Sequence, residues 1–395
     1  MFYVGIDIAK NSHEVCVIDS NGSILLKPFA FLNSTKGFQK LIDSLYSIDS
    51  SLSSFEFGME ATGHYWLNLY CKLIELDCNV HVINPVQSDA LRNLYIRKTK
   101  NDSKDSFIIA DLIRFGRFSE TSLSDPNLIT LKELCRQRFY LVDCVSDAKR
   151  KVICLLDKVF PEYSSIFTDT FGATSLQLLS SFTSPDELAS VDTDKLAEFL
   201  SSASKGRFHH SKAVEIQTIA KNSFGSALFS KSSSFAIKQF IEQIKLLESQ
   251  IEDLENFIAE LLPEFNSNLV TIPGVGTTLA AVIVSEIGDI NRFDSPEKLV
   301  AFAGIDPSVK QSGEFNSSQN RMSKRGSPYL RRALWLAAVA GNLHNPALHA
   351  LYEKKRGQGK AHAVALSAVQ KKLVNIIFYL LKTGEEYRMI MPSNS

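Results

Sequence analysis

Phe2-Tyr-Val-Gly-Ile-Asp-Ile8 and Phe55-Glu-Phe-Gly-Met-Glu60 share one pattern, and the fold of the N-terminal third follows from it. In the first stretch Phe2, Val4, Ile6 and Ile8 fall on one face and Tyr3, Gly5 and Asp7 on the other. In the second, Phe55, Phe57 and Met59 oppose Glu56, Gly58 and Glu60. An apolar period of two marks a strand, because successive side chains point to opposite faces. Working outward, a second strand is expected near Glu14–Ile18, and Asp19-Ser-Asn-Gly22 supplies the turn into a third near Ile24–Phe31. Ser34-Thr35 can cap a helix carrying Phe38, Leu41, Ile42 and Leu45. After Phe55–Glu60 come a helix near Tyr65–Leu76, a strand Asn79–Ile83 and further helical stretches. The order βββαβαβα suits a mixed sheet with helices on its faces, so residues 1–120 are assigned to an α/β domain.

The rest of the chain reads as helical. Ile237, Phe240, Ile244, Leu247, Ile251, Leu254, Ile258 and Leu261 alternate three- and four-residue steps, the spacing that keeps one stripe against a partner helix. A weaker seam runs through Leu131, Leu134, Leu141, Val145, Ala148, Val152, Leu155 and Val159, with Arg138 in one seam position. The two seams can pair within one chain or between chains. Residues 121–265 are therefore read as a helical, coiled-coil region, 266–388 as a mainly α-helical C-terminal domain and 389–395 as a tail. In the C-terminal domain Pro273-Gly-Val-Gly276 runs into a helix, and Ser295 caps another with Pro296 at its first position.

The whole chain has 395 residues and no net charge, but the charge is unevenly spread. Between Ser308 and Lys372 twelve Lys and Arg stand against Glu314 and Glu353, a net of +10, so the remainder carries −10. A basic C-terminal segment is the footprint of a phosphate-binding surface, although solvated basic faces share that composition. The six cysteines show no Cys-x-x-Cys spacing, and five sit in apolar or helical patterns as small buried hydrophobes. Asp7 and Lys10 interrupt the early apolar run, so no signal peptide is read, and no apolar stretch is read as a membrane span. A reducing cytoplasm is the expected setting.

Asp7 and Glu60 lie on the polar faces of strands that otherwise read as buried, where a carboxylate needs a cation, hydrogen bonds or a metal. Asp102 and Asp105 are three apart at the start of a helix and so share one of its faces. Hard oxygen ligands of this kind suit Mg²⁺ or Mn²⁺ and the two-ion chemistry of phosphoryl transfer. Each residue alone also fits a structural role, as a dipole partner or a turn former. His13 and His64 are possible proton carriers, with surface or capping roles as the alternative.

Three segments carry a resemblance. Gly5-Ile-Asp7-Ile-Ala-Lys10, Gly58-Met-Glu60-Ala-Thr-Gly-His64 and Lys98-Thr-Lys-Asn-Asp102-Ser-Lys-Asp105 closely resemble the DEDD motif of transposases of the insertion-sequence 110 family. Their N-terminal domain is similar to the Holliday-junction resolvase RuvC, which implies a ribonuclease-H-like fold and makes Asp7, Glu60, Asp102 and Asp105 both catalytic and metal-binding. Pro273-Gly-Val-Gly276 resembles the hairpin of helix-hairpin-helix DNA binders, where Gly274 and Gly276 would let backbone amides approach a phosphate. Ala303-Gly-Ile-Asp-Pro-Ser-Val-Lys-Gln-Ser312-Gly-Glu and Ser323-Lys-Arg-Gly-Ser-Pro-Tyr-Leu-Arg-Arg332 resemble the same family's C-terminal transposase domain. The match implies that Ser312 is a nucleophile forming a phosphoserine–DNA link, with Lys310, Lys324, Arg325, Arg331 and Arg332 holding phosphates. It further implies a structured guide RNA held near Arg92, Arg97, Lys98, Lys100 and Lys104. Donor and target DNA are the implied substrates, and synaptic oligomers from dimer to tetramer the implied assembly.

Three chemistries compete on these residues. A recombinase would use the carboxylates and Ser312 to cut and rejoin DNA. A metal-dependent endonuclease or junction resolvase would use the carboxylates and water. A sugar-kinase or actin-like phosphotransferase also opens on a Gly-x-Asp strand, but Ile8-Ala-Lys-Asn11 stands where its phosphate turn belongs. A non-enzymatic scaffold would explain the helical seam and leave the carboxylates without a reason.

Overall fold

The alternating strands form one sheet. Strand β1 (Phe2–Asp7) lies at its centre, with β2 (Ser12–Ile18), β3 (Ile24–Leu32), β4 (Phe55–Glu60) and β5 (Asn79–Ile83) in the order β3-β2-β1-β4-β5. β2 pairs antiparallel with both β1 and β3, while β1–β4 and β4–β5 are parallel, so β2 alone runs against the others. The structure is a computed structural model. It describes residues 1–61, 63–83, 102–116, 126–265, 267–307, 311–312, 315–316 and 322–389, without the side chains of 102–104, 126, 311–312 and 315–316.

The chain divides into two compact units, Met1–Leu123 and Ser124–Ser395. In the first, the expected turn is held by Asp19, whose Oδ1 accepts from the amides of Asn21 and Ser23 at 2.8 Å each, and Gly22 supplies φ +85°. Helix α1 (Thr35–Tyr46) is capped by Ser34, which accepts from Gly37 N, and α2 is Leu67–Ile74. Both helices cover the face made by Val4, Ile6, Val15, Val17, Phe57 and Met59. Helix α3 (Asp102–Phe115) covers the other, where Ile109, Leu112 and Ile113 bury against Ile83 and Tyr3. Each such side chain contributes about 1.5–3 kcal/mol when fully buried.

The second unit is hung on two long helices, α4 (Pro126–Val159) and, after four shorter helices, α9 (Ser230–Leu261). The four between are α5 (Ala173–Ser181), α6 (Pro185–Ser190), α7 (Thr193–Ala203) and α8 (His210–Lys221). α4 and α9 pack antiparallel within the chain: Asn127 bonds Glu264, Arg138 bonds Glu255 and Lys149 bonds Glu248. Arg138, which breaks the apolar seam, is accommodated by that pairing with Glu255 at 2.5 Å. Ile237, Ile244 and Ile258 of the regular seam on α9 are fully buried.

Two hydrophobic cores sit at the two ends of this helix pair. At one end Val145, Val152, Ile237 and Ile241 pack with Leu178, Leu188, Leu196 and Ile216 from α5–α8. That lobe leaves and rejoins the pair at one point, where Ser226 N donates to Lys158 O at 2.9 Å and a side chain at Gly225 would overlap the Val159 carbonyl. At the other end Leu131, Cys135 and Ile258 join α10 (Thr277–Ile287), α11 (Pro296–Phe302), α12 (Pro328–His344), α13 (Pro346–Gly357) and α14 (His362–Thr383). Between α11 and α12 lies a small hairpin, β6 (Gln311–Ser312) and β7 (Phe315–Asn316).

Two expectations need correction. α14 has 22 residues and is long and apolar enough to cross a membrane by composition. The apolarity comes from a core position: Ala365, Leu366, Val369, Leu373, Val374 and Ile377 are buried among the other helices. Cys16, Cys78 and Cys135 are buried as expected, whereas Cys71 and Cys154 are exposed, because each falls on the outer side of its helix.

Candidate active site and nucleic-acid interface

The β1–β4 register sets Gly5 directly beside Gly58. Asp7 and Glu60 each stand two residues further along, hence on the same face as those glycines and at the carboxyl ends of neighbouring parallel strands. Such strand ends are where open α/β sheets place ligands. The glycines let α3 approach closely. A side chain at Gly5 would overlap Ser106 O and Ala110 N, whereas one at Gly58 would meet the methyl ends of Ile113 and Ile109 at 2.9 and 3.1 Å. Asp105 immediately precedes Ser106 in the first turn of α3, and both Asp105 and Glu60 are 8% exposed.

Asp102 opens the same helix, but its side chain lies outside the described residues. Among the described residues no three His, Cys, Asp or Glu side chains come together at metal-binding range. Asp7, Glu60 and Asp105 offer carboxylate oxygens, the type that suits a hard divalent cation, and His81 stands on the same face bonded to Glu56 at 2.6 Å. His13 does not belong to the group. It is buried on β2 among the side chains that face α1 and α2, opposite Asp7, with Ala9 N donating to Nδ1 at 3.4 Å. Burial pulls its pKa below the usual histidine value. His64 is exposed and stacks near Tyr65. Arg97, Lys98, Lys100 and Lys310 lie outside the described residues.

Ser312 is the last paired residue of β6, opposite Phe315, on a hairpin whose base is the Pro307–Met322 bridge; its side chain lies outside the described residues. The flanking loop is tightly built. Lys324, at φ +55°, donates its amide to Gly304 O at 3.0 Å, and Ser323 bonds Asp306 through both backbone and side chain. Gly304, at φ +66°, sits so close to Arg325 and Gly326 that a side chain would lie 2.5 Å from Gly326 N. Lys324 and Arg325 are exposed on this loop. Arg331 instead donates to the carbonyls of Ala303 and Gly326 at 3.3 Å each. Arg332 forms a two-pronged pair with Asp143, 2.8 Å on each prong, and lies over the Phe139 ring. Gly274, at φ +96°, lies against the α12 backbone, where a side chain would be 2.5 Å from Gly341 N. Gly276 precedes α10 with open space around it, the condition for close approach by a ligand.

Sequence reasoning missed Glu286. This α10 residue is 3% exposed yet charged, and it gathers three elements. Arg136 of α4 bonds both its oxygens, at 2.6 and 3.1 Å, and stacks on Tyr329. Ser327, the cap of α12, donates to Oε2 at 2.8 Å while accepting from Leu330 N, and Lys132 stands 3.8 Å away. Burial pulls the Lys132 ammonium below the ordinary lysine range, and Glu286 opposes that shift. The node fixes the end of the loop that follows the Ser312 hairpin. The available signal was one acid in an otherwise apolar helix, Leu279–Ile287.

Comparison with known proteins covers both ends of the chain. A family model described as Transposase, of the DEDD insertion-sequence 110 type, matches residues 4–161. A second, described as Transposase IS116/IS110/IS902 family, matches residues 266–353. The chain is 25% identical over 392 residues to a pilin gene-inverting protein of Moraxella bovis, covering 98% of this chain and 97% of that one. It is 26% identical over 326 residues to an uncharacterized insertion element IS110 protein of Streptomyces coelicolor, covering 80% and 79%. It is 25% identical over 403 residues to a transposase for insertion sequence element IS1111A of Coxiella burnetii, covering 98% and 91%.

Proposed function

This chain belongs to the insertion-sequence 110 family of transposases, enzymes that act on DNA, and from that premise we propose that it cuts and rejoins DNA strands through a phosphoserine intermediate on Ser312. The observation that carries the reading is the register that pairs Gly5 with Gly58 and so aligns Asp7 with Glu60 under the helix bearing Asp105. The strand order, with β2 alone reversed, supports a ribonuclease-H-like assignment for the first unit. A divalent cation, Mg²⁺ or Mn²⁺, held by Asp7, Glu60, Asp102 and Asp105 would supply Lewis-acid activation of the oxygens being exchanged.

In the proposed reaction Ser312 Oγ attacks a phosphodiester phosphorus. The serine–phosphorus bond forms as the bond to one strand oxygen breaks; the serine proton is lost and the departing strand oxygen gains one. Ester is exchanged for ester, so an incoming strand hydroxyl can reverse the step and rejoin without another energy source. Lys310, Lys324 and Arg325 would hold phosphates beside Ser312, while Arg331 and Arg332, engaged within the chain, would position them. The open backbone at Gly276, behind Gly274, would accept a further phosphate. The proposal extends to a guide RNA bound through Arg97, Lys98 and Lys100, to dimers or tetramers that complete the site, and to action in the cytoplasm.

The test is direct. Protein, target DNA and Mg²⁺ are incubated and denatured, and the expected product is a covalent protein–DNA adduct, lost in Ser312→Ala. Asp7→Asn and Asp102→Asn should stop cleavage while leaving DNA binding largely intact. Strand cleavage without an adduct would replace the serine mechanism by hydrolysis with water, as in a resolvase; full cleavage in chelator would remove the metal site.

A further inference from the structure

The cations of the second unit separate into those whose charge is already matched and those whose charge is not. Arg136 is matched by Glu286, Arg138 by Glu255, Lys149 by Glu248 and Arg332 by Asp143. The turn from α13 to α14 is different. Lys354, Lys355, Arg356 and Lys360 fall within seven residues, and none forms an ion pair with a described carboxylate. Their contacts are local: Lys355 donates to the Gln358 side chain at 3.4 Å and Arg356 to Lys360 O at 2.7 Å. Glu353 is the one acid beside them in sequence.

The helix dipole explains part of this pattern, because Lys354, Lys355 and Arg356 lie in the last turn of α13. It does not explain Lys360, which lies beyond the helix, nor the space around the turn. Gly357 and Gly359 have nothing within 4 Å of the position a side chain would take, and Gly359 adopts φ +75°. The turn is nevertheless firmly seated. Tyr352 Oη and His362 Nδ1 are 2.7 Å apart across it, and Leu348, Val369 and Leu373 bury in the core shared with α10 and α12. Gln370 Nε2 donates to Arg331 O at 3.2 Å, tying α14 to the start of α12 beside the Lys324–Arg325 loop.

We infer that the α13–α14 turn is a separate phosphate-binding element, a sequence-independent grip on the backbone of duplex DNA outside the cleaved position. Four unmatched cations on an open, glycine-lined turn suit a polyanion rather than a small ligand. Because the turn rides on the same core as the flank of the Ser312 hairpin, the duplex is the partner its position favours. The inference rests on the DNA-cutting reading and adds an anchor to it.

Each phosphate neutralised contributes about 0.9 to the slope of log affinity against log salt. In the full chain, the combined variant K354Q/K355Q/R356Q/K360Q should flatten that slope by about 2–4 between roughly 50 and 200 mM salt, measured by anisotropy on labelled duplex DNA. Its thermal melting should match the parent. The charge-retaining variant K354R/K355R/K360R should keep the slope, and K149Q, which removes a cation already matched by Glu248, should change it by less than about 1. An unchanged slope in the combined variant, with adduct formation intact, overturns the inference alone. A change seen on an RNA hairpin but not on duplex DNA overturns it in favour of RNA. A parent chain that binds no duplex at all overturns both this inference and the recombinase reading.

Discussion

Replacing Gly5 by alanine tests whether the contact between α3 and the sheet holds the carboxylates in place. In an ordinary strand the change would help by roughly 0.5–1 kcal/mol, because glycine loses more freedom on folding. Here the added carbon would lie 2.9 Å from Ala110 Cα and nearer still to Ser106 O and Ala110 N, all backbone atoms that cannot rotate away. Carbon–carbon contacts settle at about 3.5–4.0 Å, so α3 must withdraw by about 1 Å. Overpacking of this kind costs about 1–3 kcal/mol. With a urea dependence of about 1–3 kcal/mol per molar, the unfolding midpoint should fall by roughly 1 M. Asp105 is carried with Ser106, and a displacement of about 1 Å at a reacting site costs about 100-fold in rate. Gly58→Ala is the internal control, because the added carbon meets only the methyl ends of Ile113 and Ile109. It should cost less than about 1.5 kcal/mol and leave cleavage within about tenfold of the parent. The readouts are urea unfolding followed by circular dichroism and single-turnover cleavage of labelled DNA. Equal effects of the two substitutions, or parental cleavage by Gly5→Ala, would refute the reasoning.

The Glu286 node predicts an asymmetry. Arg136→Met takes two bonds from a carboxylate that is 2% exposed, leaving it Ser327 and the more distant Lys132, and should cost about 3–5 kcal/mol, whereas Glu286→Gln leaves cations that are 41% and 35% exposed and should cost less. The double variant should be less damaged than the sum, and equal single losses in denaturant unfolding would contradict this. Burial pushes the Cys16 thiol up to about 11 and Cys135 up to about 12, so at pH 8 a thiol reagent should modify Cys71 and Cys154 quickly and these two only on unfolding. Fast loss of either buried thiol would count against the fold. The hydrogen bond from Arg332 holds the Asp143 carboxyl below its usual range, with slight burial opposing. A carboxyl depressed in the folded state stabilises fully above its ordinary value of about 4 and loses that contribution as pH falls through the depressed value. Carbon NMR should show Asp143 titrating higher in Arg332→Gln; an unmoved midpoint would mean the pair does not persist in solution.

The features that could be read from sequence were those encoded in neighbouring residues. Alternation at Phe2–Ile8 and Phe55–Glu60 located β1 and β4 and the faces of Asp7 and Glu60, and Asp19, Gly22 and Ser34 announced their turn and cap. Long-range pairing was hidden. Gly5 signals close approach, but nothing local identifies Ser106 and Ala110, about a hundred residues on, as what approaches. Arg138 looked like a flaw in its seam because Glu255, which accommodates it, lies on another helix. Glu286 reads as one acid in an apolar helix until Arg136 and Ser327 are brought to it. Arg331 and Arg332 look like Lys324 and Arg325 in sequence; only tertiary packing separates cations used inside the chain from those facing water. α14 concealed its role for a related reason, since a core helix and a membrane span share length and composition.

The stitch at Ser226 and Lys158 has a bearing on how such chains diversify. The lobe of α5–α8 begins and ends at one pinned position, and it meets the helix pair through the core it shares with Val145, Val152, Ile237 and Ile241. Closing a longer excursion adds only about 0.6 kcal/mol for each doubling of its length. Everything between Phe160 and Gly225 is thereby a cassette on a fixed socket. It can be lengthened in its loops, or exchanged for another small helical body that covers Val145, Val152, Ile237 and Ile241, while the Arg138–Glu255 and Lys149–Glu248 pairs keep their spacing.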